Sequence, residues 1–373
     1  MSLWFIVNDT FHVLFSSCIP TPSLTIHRRN FKVIKLLGEG GFSFVYLVQD
    51  AATGQVYALK KIRCAGDSEA LVAAAMREAE MYKRFKHPNV IEVYDTNVTN
   101  DPDGAKVVYI FLPYFERGNL QDAINQNFIN NIHFSEREML RFFKGICTAV
   151  NVLHTYRLPD SASQADEPQT GFGDQMDNVN ELDRDEEQDV LLNDISTSVG
   201  QQEEYRATRG GELEPYAHRD IKPGNVMISD DGKTPVLMDF GSVQPARIEI
   251  KTRQQALLQQ DLAAEHCSMP YRAPELFDVK TGETLDEKVD VWSLGCTLYC
   301  MAYGQSPFES RQSEQGGSIA LAVLNGAYRF PTTPPMDTIY SDVFKDLIRS
   351  MLQVKPQDRP TVSELLQRVD ALL

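Results

Sequence analysis

The sequence predicts a two-lobed α+β fold, a small lobe of five strands and one helix followed by a larger, mainly helical lobe. Between Phe31 and Tyr114 apolar residues alternate with polar ones at the period of half-buried strands, interrupted by one stretch of helical period. Beyond Asn119 the period is mainly 3.6. A chain of 373 residues, 42% of them hydrophobic, is long enough for a core in each lobe and excludes a fibre, a repeat array or a short disulfide scaffold.

Residues 1–27 form an N-terminal apolar segment. Trp4, Val7, Phe11, Leu14 and Phe15 fall on one helical stripe, suited to rest on a membrane or on the protein's own surface, until Pro20 and Pro22 end it. Residues 28–373 are read as one domain, with its first lobe at about 28–114 and its second at about 115–373. Phe31 and Val33, then Val45 and Leu47, then Val56 to Ile62 mark a three-stranded antiparallel start with a Thr53-Gly54 turn. A helix is expected over 68–85, closed by His87-Pro88, and two further strands over 91–98 and 106–114. In the second lobe the strongest helical pattern runs over 136–156 (Met139, Leu140, Phe143, Ile146, Val150, Leu153). It returns at 253–266 and dominates from Lys288 onward.

Charge is unevenly placed. The chain carries −16 in all, and the stretch 159–215 holds 16 acidic residues against Arg184, Arg206 and Arg209. Rich in Asp, Glu, Gln and Ser and poor in aromatic residues, it cannot bury enough apolar surface to offset the entropy of ordering, so it reads as an acidic disordered insert. The overall balance argues against nucleic acid as a partner. Six cysteines without a CxxC pair read as free thiols of a reducing compartment. No apolar run approaches the ~18–20 residues that span a bilayer, and no basic segment of a secretory signal opens the chain. A cytosolic topology is expected.

Four clusters carry chemistry. In Gly38-Glu39-Gly40-Gly41-Phe42-Ser43 the glycines let backbone N–H groups approach phosphate oxygens without a Cβ in the way, although most such glycines merely make hairpin turns. In Val56-Tyr57-Ala58-Leu59-Lys60 strand alternation turns Val56, Ala58 and Lys60 to one face, and Glu78 on the next helix is the candidate counter-ion for Lys60. Taken alone, each of these charges is more often a solvated surface group. His218-Arg219-Asp220-Ile221-Lys222-Pro223-Gly224-Asn225 and Asp239-Phe240-Gly241 then place two carboxylates, an amide and a lysine on adjacent loops. That set suits holding Mg²⁺, neutralising a phosphoryl group and accepting a hydroxyl proton. Their joint, ordered occurrence, followed by Ala273-Pro274-Glu275, makes a set of unrelated turns a poor explanation.

As an ordered set these motifs resemble the eukaryotic protein kinases over roughly 290 residues. The resemblance implies the two-lobed protein kinase fold, with ATP and Mg²⁺ as cofactors and a protein Ser or Thr as acceptor. Leu37, Gly38, Glu39, Gly40, Gly41, Phe42 and Ser43 would cover ATP, Val45 and Ala58 would flank the adenine, and Leu112, Pro113, Tyr114 and Phe115 would form the hinge that receives its edge. Lys60, paired with Glu78, would contact the α and β phosphates. Asp220 would be the catalytic base, Lys222 would steady the γ-phosphate, and Asn225 and Asp239 would hold the metal. Lys222 and Ser268 follow the serine/threonine rather than the tyrosine pattern, Asp290 and Trp292 resemble the buried helix that anchors the catalytic loop, and Glu275 would pair with Arg359. The FSxV ending of the glycine loop, the helical stretch 253–267 and Tyr271-Arg272-Ala273-Pro274-Glu275-Leu276-Phe277 are similar to the Numb-associated kinase family. Within it they look most like the branch of serine/threonine kinase 16 and its fungal vacuolar-membrane relative.

That branch is lipid-anchored near its N-terminus, which implies a place on the cytoplasmic side of a vacuolar or Golgi membrane. Here residue 2 is Ser2, not glycine, which excludes N-myristoylation by chemistry. Cys18 is the remaining N-terminal thiol, and the resemblance makes it the expected palmitoylation site, with an idle cysteine as the plainer reading. The insert either recruits a basic partner or is a tolerated loop, and the second is favoured. The rival from another class is a kinase-like membrane scaffold that recruits partners through the insert. No motif encodes the substrate's identity or an oligomeric state.

Overall fold

Alternation in the first lobe becomes one antiparallel sheet. Its strands are β1 (Ser23–Ile26), β2 (Arg29–Glu39), β3 (Ser43–Asp50), β4 (Val56–Cys64), β5 (Asp95–Asn100) and β6 (Lys106–Leu112), in the order β1-β2-β3-β4-β6-β5. The computed structural model describes residues 23–26, 28–40, 43–64, 69–101, 103–159, 211–309, 318–334 and 336–373. The apolar stripe of residues 1–22, Cys18, Gly41, Phe42 and most of the acidic insert therefore lie outside the described residues.

The period of two sorts side chains as the sequence requires. On β4, Tyr57 and Leu59 join Ile26, Phe31, Val48 and Phe111 in a small core on one face of the sheet. Ala58 and Ile62 join Val108, Ile110 and helix α1 (Glu69–Arg84) in the main core on the other. Lys60 lies on that second face, between Ala58 and Ile62.

Two elements differ from expectation. The sheet has a sixth strand: β1 pairs with β2 from Ser23↔Lys32 to Ile26↔Arg29, so residues assigned to the N-terminal segment belong to the first lobe. Four residues after two prolines give too short a period to read, yet Ile26 is buried. The strand expected over 91–98 begins only at Asp95. Val90 and Ile91 are instead bound to the second lobe, with the Ile91 amide on the Leu237 carbonyl at 2.9 Å and the Leu237 amide on the Asn89 carbonyl at 2.8 Å.

The second lobe is mainly helical. Helix α2 (Leu120–Ile129) is capped by the Asn119 side chain, and α3 (Glu136–His154) opens on a Ser135/Glu138 capping box. Short strands follow, β7 (Tyr216–Ala217), β8 (Val226–Ile228), β9 (Pro235–Leu237), β10 (Gln244–Pro245) and β11 (Ile248–Glu249), then α4 (Arg253–His266) and β12 (Thr284–Leu285). Helices α5 (Lys288–Tyr303), α6 (Ile319–Leu324), α7 (Asp342–Met351) and α8 (Val362–Leu372) complete it. Helix α5 is buried from Val289 to Tyr303 on every side, which explains why its mostly apolar sequence shows no exposed polar stripe.

The chain divides into two compact units, Met1–Tyr156 with Glu214–Leu373, and Arg157–Leu213. Within the first, the Glu214 amide donates to the Tyr156 carbonyl at 3.0 Å. Within the second, an antiparallel bridge joins Arg157 and Leu213, and the Leu158 amide donates to the Glu212 carbonyl at 2.9 Å.

Candidate active site

Strand β4 and helix α1 bring the first pair together. Lys60 Nζ lies 2.6 Å from Glu78 Oε1 and 3.6 Å from Asp239 Oδ1. Burial pushes the Lys60 ammonium down, but the two carboxylates outweigh it and hold its pKa above the ordinary lysine value. Conversely, burial raises Asp239, and the positive charges of Lys60 and Lys222, with the Lys60 hydrogen bond, more than reverse this, so its carboxyl sits below the usual range.

Tyr82, which the motifs did not single out, ties the pair to the loop that carries Asp239. Its hydroxyl donates to Glu78 Oε1 at 2.8 Å and accepts the Phe240 amide at 3.3 Å, while its ring stacks on Phe240 at 5.2 Å. The signal was available in the i, i+4 spacing of Glu78 and Tyr82 on one helix face. Asp239 itself has φ 66, a left-handed conformation uncommon outside glycine, which turns its side chain toward Lys60 and away from the β9 ladder.

The loop before β8 is built around Asp220. Its Oδ2 accepts from Lys222 Nζ at 2.7 Å and from Asn225 Nδ2 at 2.9 Å, and its Oδ1 accepts the Ser268 amide at 2.8 Å. Lys222 also donates to Ser268 Oγ at 2.7 Å, which links the loop to the segment after α4. A carboxylate offers about four acceptor positions, so three donors leave one for an incoming hydroxyl.

Helix α5 fixes the backbone of that loop from beneath. Asp290, fully buried, accepts the His218 amide at 2.7 Å, the Arg219 amide at 2.8 Å and His154 Nε2 at 2.9 Å. Burial raises its pKa, and the His154 hydrogen bond, together with the donated Arg219 amide, lowers it further than burial lifts it. His218 Nε2 meets the Met238 carbonyl at 3.1 Å, where the ring must donate, while its Nδ1 accepts the Asp220 amide at 3.3 Å. Those two bonds define a neutral ring protonated on Nε2.

The lysines and carboxylates meet around one cavity of about 510 Å³, whose lining includes Ser43, Lys60, Glu78, Asp220, Lys222 and Asp239. Val45, Ala58 and the hinge Leu112–Phe115 are outside this lining; Ala58 pairs with Leu112, and Val45 with Lys60, across adjacent strands. At the glycine turn the Gly40 amide donates to the Ser43 carbonyl at 2.8 Å. A Cβ at Gly38 would meet nothing within 4 Å, so packing inside the chain does not demand glycine there, whereas close approach of a ligand would.

The donor set fits Mg²⁺ held jointly with phosphates. Asn225 spends its amide nitrogen on Asp220, which leaves its side-chain oxygen as what it offers a cation, and its backbone carbonyl accepts the amide of Met238, the residue before Asp239, at 2.9 Å. Two hard oxygen donors with the rest supplied by a substrate's phosphates is the usual magnesium arrangement. Among the described residues no group of three or more His, Cys, Asp or Glu could hold a metal by itself.

Glu275 and Arg359 form the expected buried pair, with Arg359 Nη1 and Nη2 donating to the two Glu275 oxygens at 2.6 and 2.8 Å. Arg359 also donates to the carbonyls of Gln353, Lys288 and Val354 and lies over the Trp292 ring at 5.1 Å.

Comparison with known proteins bears on the domain as a whole. The family described as Protein kinase domain matches residues 31–158 and 214–369, leaving out the span that contains most of the acidic insert. The chain is 36% identical over 369 residues to serine/threonine-protein kinase ppk13 of Schizosaccharomyces pombe, covering 99% of this chain and 98% of that one. It is 37% identical to serine/threonine-protein kinase ENV7 of Saccharomyces cerevisiae over 94% of each chain. With serine/threonine-protein kinase 16 of Homo sapiens it shares 32% identity over 94% of this chain and 92% of that one. A family match spanning both lobes, and relatives aligned over nearly their whole length, show that the chain belongs to the protein kinase family.

Proposed function

We propose that this chain transfers the γ-phosphoryl group of ATP to Ser or Thr hydroxyls of a protein substrate. The observation that carries the reading is the hydrogen-bonded set of Asp220, Lys222 and Ser268, with Asn225 bonded to Asp220, sharing one cavity with the Lys60–Glu78–Asp239 cluster. Asp220, oriented by three donors, receives the acceptor hydroxyl and takes its proton as the new O–P bond forms and the bond to the leaving diphosphate breaks. Lys60, kept charged by Glu78 and Asp239, is placed to hold the α and β phosphates. Lys222 brings positive charge beside the base, where charge on the transferring group develops. Mg²⁺, held by Asn225 and Asp239, would neutralise phosphate charge. The Ser268–Lys222 bond supports an aliphatic hydroxyl as acceptor, and the names of the relatives point the same way.

The finer placement within the Numb-associated kinases is supported by the helix α4 between Asp239-Phe240-Gly241 and Ala273-Pro274-Glu275 and by the Tyr271–Phe277 motif. We further propose an association with the cytoplasmic face of a vacuolar or Golgi membrane through the apolar stripe of residues 1–22 and Cys18, and with it a role in membrane trafficking. No described helix is long and apolar enough to cross a membrane. A scaffold without catalysis is not favoured, because every catalytic position is filled and bonded to its partner.

The test is Asp220→Asn in the full chain, incubated with Mg-ATP and a generic basic protein, with phosphorylated residues mapped by mass spectrometry. Loss of a general base costs about 10²–10⁴-fold in turnover. The parent should yield phospho-Ser or phospho-Thr, and the variant should fall by at least the lower figure while nucleotide affinity holds. Retention of full activity by the variant would refute the assignment of the base.

A further inference from the structure

The arginine of the catalytic loop is buried with few partners. Arg219 is 2% exposed and has φ 69. Of its five guanidinium N–H donors one bond is made, from Nη1 to Oε1 of Gln259 at 2.8 Å, while Nε and Nη2 have no partner. Burial pushes its pKa below the ordinary arginine value, but a guanidinium stays charged at neutral pH. Gln259 is therefore the side chain that answers a buried cation, and it does so with a neutral oxygen.

Its placement on α4 is specific. The buried stripe of that helix is Ala256, Gln259 and Ala263, so a single polar residue interrupts an otherwise small apolar face at the point that meets Arg219. The helix is held independently at both ends. Thr252 and Gln255 form a capping box at its start, and Arg272 Nη2 donates to the Cys267 carbonyl at 2.7 Å past its end. Gln260 Nε2 also bonds the Phe277 carbonyl at 2.9 Å.

Every hydroxyl between Asp239 and Glu275 is already committed. Ser242 Oγ donates to the His218 carbonyl, Thr252 caps α4, Ser268 Oγ accepts from Lys222, and Tyr271 is buried. Phosphorylation of Ser242 or Ser268 would first break a bond that shapes the site. Arg219 is followed directly by Asp220, so whatever fixes the arginine side chain also fixes the loop that presents the base.

We propose that Gln259 is a positioning residue for phosphoryl transfer, a neutral anchor that locks Arg219 and the Asp220 loop in the working arrangement without a phosphate. The inference rests on the kinase reading above and specifies how that site is regulated. A side chain of similar size without an acceptor leaves the cation stranded, so the loop must shift to rehydrate it. A carboxylate at the same place serves at least as well, because a charged acceptor bonds guanidinium more strongly than an amide does.

The experiment uses the full chain, its Gln259→Leu and Gln259→Glu variants, and a generic basic protein as acceptor, each before and after phosphatase treatment. For Gln259→Leu we expect kcat to fall about tenfold or more, the order that an unsatisfied buried charged group implies, with KM for ATP within about twofold. Gln259→Glu should keep kcat within about twofold of the parent, and phosphatase should leave the parent unchanged. The inference is overturned if Gln259→Leu matches the parent, if Gln259→Glu falls as far as Gln259→Leu, or if phosphatase silences the parent. Should the leucine variant not fold, the glutamate and phosphatase arms still decide. A parent that phosphorylates no protein at all overturns the kinase reading and this inference with it, whereas an active parent matched by Gln259→Leu overturns this inference alone.

Discussion

Replacing Glu275 by Gln is the sharpest test of how the substrate side of the second lobe is held. Both Glu275 oxygens accept from Arg359, whose side chain is fully buried, while the other guanidinium bonds go to neutral carbonyls. Removing one member of a buried ion pair costs about 3–5 kcal/mol, because the remaining charge stays desolvated. Glutamine keeps one acceptor and three carbonyls stay in place, so the lower figure applies, about 3 kcal/mol. The new amide NH₂ would also face an Arg359 N–H, donor against donor. At about 2–4 °C per kcal/mol for a large domain, Tm should fall by roughly 6–12 °C, read by circular dichroism at constant heating rate. Glu275→Met with Arg359→Met should recover most of the loss, since no buried charge is then left alone. A single variant melting within about 2 °C of the parent would show that the carbonyls suffice and that the pair is not what fixes this corner.

Two further outcomes follow from groups already described. The Asp290 carboxyl titrates below its ordinary 3.8, so its stabilising effect is complete above that value and is lost as pH falls through the still lower folded pKa. The stability gap between the parent and Asp290→Asn in urea titrations should therefore be widest near neutrality and shrink once pH drops below 3.8; a gap independent of pH would rule this out. For the membrane proposal, Cys18→Ser should move the chain from the membrane pellet to the supernatant on fractionation, and an unchanged pellet fraction would exclude an acyl anchor at that position.

The parts of the site that were legible in the sequence are those whose chemistry fixes both residue type and local spacing. Lys60 could be assigned to the cavity face because strand alternation leaves no choice, and Asp220, Lys222 and Asn225 share one loop. Helix α4 was readable to its ends because its cap and its length are local properties. What could not be read depends on where distant segments meet. The Arg219–Gln259 bond joins residues 40 apart, and His154–Asp290 joins residues 136 apart, with no pattern within either segment to announce the other. The start of β5 was misplaced for the same reason: Val90 and Ile91 look like strand residues, but β9 of the other lobe claims them. β1 escaped notice because four residues hold only two alternations.

The bond between the Tyr156 carbonyl and the Glu214 amide makes chain length at this position almost independent of the catalytic lobe. Both ends of the excursion are clasped by backbone groups of the lobe itself, so lengthening what lies between them adds only closure entropy, about 0.6 kcal/mol for each doubling. The same clasp lies two residues ahead of β7, which pairs with β10 and leads straight into His218. Mutation can thus add, delete or recharge residues upstream of the most constrained loop of the molecule while the register of that loop is set elsewhere, by Asp290. The strongly acidic composition of 159–215 is in this sense a trait free to drift or be selected on its own account, separate from the fold that carries it.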